Sequence, residues 1–413
     1  MKLTKNIFGW LMYDFANSSF TTIIVTVVYS LYFKEVVVNQ EELGTALWGR
    51  AVSISMLLVA ISAPIFGAVA DYSRAKKRFL FYTTYLTVIF TALLYFVKAG
   101  NIFTGMLFFI IANFGFNSGM VFYNSLLPEI AGRNDLGKVS GWGWALGYVG
   151  GLLSLFLVLP LVNNNLVNLA FPAVALFFGL FALFTFFLLK EIKKPSKRTN
   201  YFKTALQRII TTAKNIRKFK ELLKFICSYL FYNDGIVVVI SFAAIYGATR
   251  FGMTLKQLIP YFIIVNLTSM VGAFVFGYIL DKIGAKKTIT ITLIIWVVVV
   301  FWAFWCRTIT EFYCVGLLAG LAIGSSQSSS RTMLALLTPE EKMAEFFGFY
   351  AFTGKVASIF GPFIYGEVAR ITGSQRWAIL SVLVFFLAGI IILQTVNENK
   401  GRQIAIDWIN PSD

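Results

Sequence analysis

The sequence predicts an all-α membrane protein: twelve transmembrane helices in two six-helix, pseudo-symmetric bundles. Three observations carry this. The 413 residues are 58% hydrophobic and only 13% charged, about half the charged share of an ordinary soluble domain. About a dozen apolar stretches reach the roughly 20 residues that cross a bilayer. A charged signature occurs twice, as Gly67-Ala68-Val69-Ala70-Asp71-Tyr72-Ser73-Arg74-Ala75-Lys76-Lys77-Arg78 and as Gly277-Tyr278-Ile279-Leu280-Asp281-Lys282-Ile283-Gly284-Ala285-Lys286-Lys287. Each copy follows the second span of a half. A duplicated set of spans is the pattern of a two-lobed transporter whose halves rock about a central site.

The spans fall at 7–33, 46–70, 79–97, 101–127, 140–160, 168–189, 223–248, 257–280, 288–305, 309–337, 345–369 and 376–396. Span one is expected to stay: its apolar run is too long for a signal peptide, contains Asp14 and passes Phe33 without a small-residue cleavage site. Spans three and four are parted only by Lys98-Ala99-Gly100-Asn101. The one long connection is 190–222. In it Phe202, Leu206, Ile209, Ala213, Ile216 and Phe219 recur at three- and four-residue spacing, opposite a basic face. That suits an amphipathic helix on anionic inner-leaflet lipids; a solvated linker is the alternative. The domains are then an N-terminal six-helix bundle at 1–189, a cytoplasmic basic linker at 190–222, a C-terminal bundle at 223–398 and a cytoplasmic tail at 399–413.

The net charge of +17 is an orientation device. With both termini in the cytoplasm, 26 Lys and Arg lie in inner segments, 7 in outer ones and 3 (Arg50, Arg331 and Lys355) within spans. That is a strong positive-inside bias, and it removes the need for a nucleic-acid partner. The chain holds no histidine, which excludes His-ligated metals, Ser-His-Asp chemistry and His proton relays. Without a phosphate-binding Gly-x-x-x-x-Gly-Lys-Ser/Thr loop, ATP does not drive it directly. No cofactor, no metal and no enzymatic activity are expected. Three cysteines exclude a disulfide framework; Cys306 and Cys314, near the outer ends of spans nine and ten, either pair or sit as buried apolar thiols.

The halves correspond beyond the Asp loops. Span four ends Leu126-Leu127-Pro128-Glu129 and span ten ends Leu336-Leu337-Thr338-Pro339-Glu340; span one carries Tyr13-Asp14 and span seven Tyr232-Asn233-Asp234. With these in order, the chain resembles the major facilitator superfamily over essentially its whole length. That superfamily's loop signature is Gly-x-x-x-Asp-basic-x-Gly-basic-basic. The second copy fits it with Gly277, Asp281, Lys282, Gly284 and Lys286; the first departs, with Tyr72 for the basic residue and Arg74 and Ala75 for the Gly-basic pair. More specific blocks resemble the vacuole amino-acid effluxer branch, the unknown-major-facilitator family. They are Tyr13-Asp14-Phe15-Ala16-Asn17-Ser18, Val121 to Glu129, Gly141 to Tyr148, Tyr232 to Gly235, Ser329-Ser330-Arg331 and Phe346 to Lys355. The resemblance implies the major facilitator fold, transport by alternating access, and in fungal members export of amino acids from the vacuole.

Ionisable groups at membrane depth are costly and normally face a cavity or a partner. Lys355 and Asp234 lie roughly 15 Å into their spans, Asp14 roughly 10 Å, and Arg331 roughly 9 Å from the inner end of span ten. The resemblance implies that spans one, four, seven and ten line the cavity. The candidate substrate or proton site is therefore Asp14, Asn17, Tyr123, Asn124, Asn233, Asp234, Gln327, Arg331 and Lys355. A base would meet the carboxylate of a small zwitterion, and an acid its ammonium or a proton. The alternative is a salt bridge that holds helices together.

The loop residues Gly67, Asp71, Arg74, Lys76, Gly277, Asp281, Lys282, Gly284 and Lys286 form a second candidate set. The resemblance implies that each Asp meets the start of a helix in the other half, whose dipole favours an anion. Asp71 would meet span eleven near Glu345, and Asp281 span five near Ser140. Such contacts would latch the outward-open state; topogenic charge with a tight turn is the plainer alternative. Span five also carries Gly143, Gly147, Gly150 and Gly151 at spacings that allow close helix approach. Trp142 and Trp144 near its inner end are expected as interface anchors.

Together these features suggest a secondary transporter of small, amino-acid-like solutes, with proton-coupled efflux as one option. It is expected to be a monomer in a prokaryotic plasma membrane. A lipid or amphiphile translocase, or a solute sensor without flux, are the alternatives on the same scaffold.

Overall fold

A computed structural model describes residues 3–190, 216–253 and 255–408, less the side chains of a few helical residues, 355–359 among them. Among the described residues every regular element is helical. The long helices are α1 (Lys5–Val38), α2 (Glu41–Ser73), α3 (Lys76–Leu93), α4 (Ile102–Ser125), α5 (Leu136–Asn163) and α6 (Val167–Leu188). They continue as α7 (Lys220–Phe251), α8 (Leu255–Ile283), α9 (Ala285–Trp305), α10 (Ile309–Leu337), α11 (Met343–Thr372) and α12 (Gln375–Gln394), and a short α13 (Glu398–Ile406) closes the chain. Eleven of these are long and apolar enough to cross a membrane, as backbone in lipid must be if its polar groups are to be satisfied internally. The sequence suggests twelve. The difference is α11, which is 30 residues long but holds Glu345, Lys355, Glu367 and Arg370. The expected amphipathic helix at 190–222 lies mostly outside the described residues; its end, Ile216–Phe219, is a 3-10 turn leading into α7.

Local chemistry sets the helix ends. Thr4 caps α1 and Thr308 caps α10, each hydroxyl accepting an amide of the first turn. Gly252 (φ +65°) ends α7 and Gly284 (φ +92°) separates α8 from α9, left-handed positions that suit glycine. α1 departs from a plain span: Phe20–Val27 and Phe33–Val38 wind as π-helix around the α-turn Val28–Tyr32.

The residues group into two compact units. The first comprises Met1–Ala131, Leu146–Ile210 and Glu341–Phe349; the second comprises Gly132–Ala145, Thr211–Glu340 and Tyr350–Asp413. Thus the first turns of α5 and α11 each group with the unit formed mainly by the other half of the sequence.

In the first unit an aromatic core joins α1 to α4. Tyr123 stacks on Trp10 (4.4 Å) and Tyr13 (4.7 Å), and the Tyr13 hydroxyl pairs with Thr84. A Cβ at Gly150 would collide with the Phe15 carbonyl and one at Gly151 would lie 2.9 Å from Thr22 Oγ1, so the glycines of α5 let α1 approach at backbone distance. In the second unit Gly320 and Gly324 do the same for α10 against Thr268 and Ser269 of α8. Buried hydroxyls link its helices: Tyr232 to Ser330 (2.7 Å) and Trp296 Nε1 to Ser326 Oγ (2.9 Å). Meanwhile Phe103, Leu176, Phe187, Val384 and Ile391 point outward. Polar groups inside and large apolar groups outside is the pattern for a lipid surround.

Candidate functional site

In the second unit, α8 ends on the start of α5. Ala273, Gly277 and Asp281 are spaced by four residues and share one helix face. A Cβ on Gly277 would lie 2.6 Å from the Gly137 carbonyl, and one on Gly141 would collide with the Ala273 carbonyl. With the backbones that close, Asp281 Oδ1 accepts the amide of Gly137 (2.9 Å) and Oδ2 the amide of Lys138 (3.0 Å). These are free N–H groups of a first helical turn, where a carboxylate is favoured by the dipole and by charge-assisted hydrogen bonds. Lys138 adds a longer contact to Asp281 (3.9 Å) and an ion pair with Asp135.

In the first unit the same pattern recurs with α2 on the start of α11. Ala63, Gly67 and Asp71 lie 210 positions before Ala273, Gly277 and Asp281. A Cβ on Gly67 would collide with the Ala344 carbonyl, and one on Gly348 would lie 3.0 Å from Ala63. Asp71 Oδ2 accepts the amide of Glu345 (3.0 Å). Both carboxylates thus meet the helix starts that the resemblance implies. The copies differ in their support. Asp71 is joined by buried Lys76 (3.0 Å), which also bonds Glu129 (2.8 Å), and Lys342 pairs with Glu345 (3.2 Å). The corresponding Lys286 instead donates to the carbonyls of Gln394 and Val396. Arg74 occupies a left-handed position (φ +53°), and the matching residue of the second copy is Gly284, also at positive φ (+92°). Arg74 and Lys282 are exposed.

The contacts of Glu129 and Lys342, the bond of Ser140 to Arg331 and the small residues opposite each Asp were not singled out from the sequence. A signal existed: Gly137-x-x-x-Gly141 and Ala344-x-x-x-Gly348 match the four-residue spacing of their partners.

Arg331 is 2% exposed. Its Nε donates to Ser140 Oγ (2.9 Å) and a terminal nitrogen to the Ser140 carbonyl (2.6 Å), while its guanidinium lies over the Trp144 ring (5.3 Å). Ser140 Oγ in turn donates to the Ser328 carbonyl. Arg331 therefore binds the same helix start that Asp281 holds. Trp144, expected as an interface anchor, packs on that arginine, and Trp142 faces Tyr278.

Asp234 is 1% exposed, and its Oδ1 accepts the amide of Gly361 in α11 at 2.8 Å. Its neighbour Asn233 is half-buried and donates to the Gly354 carbonyl (3.4 Å). Asp14 and Asn17 are buried in α1, with Asn17 Nδ2 against Met120 Sδ. Tyr123 is enclosed by its two ring partners; Asn124 and Gln327 are half-buried. Lys355 is placed in α11, its side chain outside the described residues. Asp14, Asn17, Tyr123 and Asn124 belong to the first unit, and Asn233, Asp234, Gln327, Arg331 and Lys355 to the second.

The three cysteines are free thiols, so Cys306 and Cys314 do not pair. Cys306 lies between α9 and α10, and burial pushes its thiol up to about 11.

Comparison with known proteins extends this. The family model described as vacuole effluxer Atg22-like matches residues 45–136 and 133–405. The uncharacterised MFS-type transporter YxiO of Bacillus subtilis (strain 168) is 28% identical over 98% of this chain and 97% of its own. Autophagy-related protein 22 of Kluyveromyces lactis is 24% identical over 80% of this chain and 74% of its own. The crystal structure of the human organic anion transporter MFSD10 (TETRAN) superposes with a TM-score of 0.75 over 94% of this chain and 99% of that one, at 14% identity; at that identity it speaks to the fold alone. The chain belongs to the vacuole effluxer Atg22-like family and is a non-enzymatic membrane transporter of the major facilitator superfamily.

Proposed function

We propose that this transporter moves small zwitterionic solutes of the amino-acid type by alternating access, with α11 serving as a twelfth span and residues 1–189 and 223–398 as the moving halves. The observation that carries the reading is the duplicated grip: Asp281 on the amides of Gly137 and Lys138, and Asp71 on the amide of Glu345. A carboxylate on a helix start is a contact of two discrete states, made or broken, which is what a gate requires. Arg331 joins the gate through Ser140 rather than the solute site. Asp14, Asn17, Asn124, Asn233, Gln327 and Lys355 remain as the polar groups that meet solute or proton, with Tyr123 as packed support.

The effluxer description of the family supports export as the direction. The basic bias of the loops supports cytoplasmic termini. The test is counterflow in proteoliposomes, loaded in turn with single amino acids and other small zwitterions, with and without a pH gradient. Accumulation of label for one solute class supports the reading. A flat panel with folded protein overturns the amino-acid assignment, and uptake of labelled lipid in its place identifies an amphiphile translocase.

A further inference from the structure

Helix α11 is held by carboxylates at two places. Asp71 takes the amide of Glu345 in its first turn, and Asp234 takes the amide of Gly361 in its interior. The division between the two compact units falls within this helix, after Phe349. Gly361 is followed by Pro362. Proline inside a helix has no N–H to give the carbonyl four residues back, here that of Ser358, and its ring pushes that carbonyl aside. Such a site bends. Gly361 is fitted closely to its partner: a Cβ there would collide with Asp234 Oδ1 and lie 2.5 Å from Val238 Cγ2.

Asp234 is itself fixed from behind. The flanking Tyr232 bonds Ser330 of α10, and a Cβ on the following Gly235 would lie 3.0 Å from the Phe386 ring of α12. The carboxylate therefore sits on a rigid part of α7 and reaches the Gly361–Pro362 step of α11.

We infer that Asp234 is a positioning residue of the transport cycle: it pins the Gly361–Pro362 break, so that the inner segment of α11 swings about a fixed point when Asp71 releases Glu345. The role depends on an oxygen acceptor at Asp234 and not on contact with solute. It rests on the alternating-access reading, and its test requires no knowledge of the solute.

The experiment places spin labels at Phe352→Cys and Ile371→Cys, exposed positions on either side of the break, in full-length protein with Cys227, Cys306 and Cys314 replaced by serine. The labels are about 28 Å apart along a helix at 1.5 Å per residue. Double electron–electron resonance in nanodiscs then reads the distance distribution. Asp234→Asn retains an oxygen acceptor and keeps the wild-type width. Asp234→Leu fills the volume without an acceptor and gives a distribution roughly twofold broader; Gly361→Ala does the same. Gel filtration and thermal melting establish that each variant is folded. A wild-type distribution in folded Asp234→Leu overturns the inference, as does broadening in Asp234→Asn equal to that in Asp234→Leu, which would assign the role to the charge. If the counterflow panel finds a solute, Asp234→Leu slows turnover with the half-saturating concentration within about twofold of wild type. A flat panel touches the solute assignment and leaves the distance result standing.

Discussion

Asp281 and Arg331 hold the same helix start by opposite groups: the carboxylate accepts the amides of Gly137 and Lys138, and the guanidinium donates to the carbonyl and hydroxyl of Ser140. The first turn of α5 is thus clamped through both its free N–H groups and its backbone oxygen.

Two groups acting on one element are expected to couple. Asp281→Ala removes two charge-assisted hydrogen bonds, a loss of about 2–4 kcal/mol in that clamp. Arg331→Gln costs a similar amount. Once either is gone the helix start is already loose, so the double variant should fall short of the sum by about 1 kcal/mol or more. A double-mutant cycle on thermal melting in detergent checks this; strict additivity would mean that the two act separately.

The motif glycines should resist enlargement. Gly277→Ala and Gly67→Ala press a methyl group into the Gly137 and Ala344 carbonyls, and overpacking of this kind costs about 1–3 kcal/mol. Gly49 and Gly366 have open space around a Cβ and serve as helical controls. Equal melting temperatures across the four alanine variants would refute the close backbone contact.

Arg74 stands in a left-handed conformation where the second copy has Gly284. Arg74→Gly should relieve that strain and stabilise the protein by about 1 kcal/mol, net of glycine's greater freedom when unfolded. Arg74 is exposed, so little packing is lost. A lower melting temperature would show that the arginine makes a contact worth more than the strain.

Cys306 should be slow to alkylate. Its thiol is raised to about 11 by burial, so the reactive thiolate is scarce near pH 7.5 and grows only as pH approaches that value. Maleimide labelling read by mass spectrometry should find Cys227, which is exposed, modified first. Rapid labelling of Cys306 at pH 7.5 would contradict this.

Much of the fold was legible because bilayer length and the duplicated Asp signature are properties of sequence alone. The target of each loop Asp followed from the resemblance, and the four-residue spacing of small residues explains it physically. Less legible were contacts whose partner is a backbone group. Asp234 and Arg331 look like ligand groups when counted by depth; each is engaged by a main-chain atom, Gly361 N–H or Ser140 C=O, that carries no side-chain signal. For Asp234 a cue was present in Gly361-Pro362, a helix breaker in mid-span. The π-turns of α1 had a weaker cue in residues 21–28, an unbroken run of β-branched residues, which crowd the preceding turn of an α-helix. Lys355 kept α11 below the apolarity of the other spans, which is why twelve expected spans appear as eleven.

The most direct test of the gate is accessibility of a single cysteine. Asn124→Cys and Asn233→Cys, in protein with the native cysteines replaced by serine, would be labelled by a membrane-impermeant thiol reagent from the cytoplasmic side of inverted vesicles. If the grips are latches, Asp281→Ala and Asp71→Ala should each raise the labelling rate at least roughly tenfold, since each removal of about 1.4 kcal/mol from one state is a factor of ten. Unchanged labelling in both folded variants would reduce Asp71 and Asp281 to topogenic charges and remove the gate from this transporter.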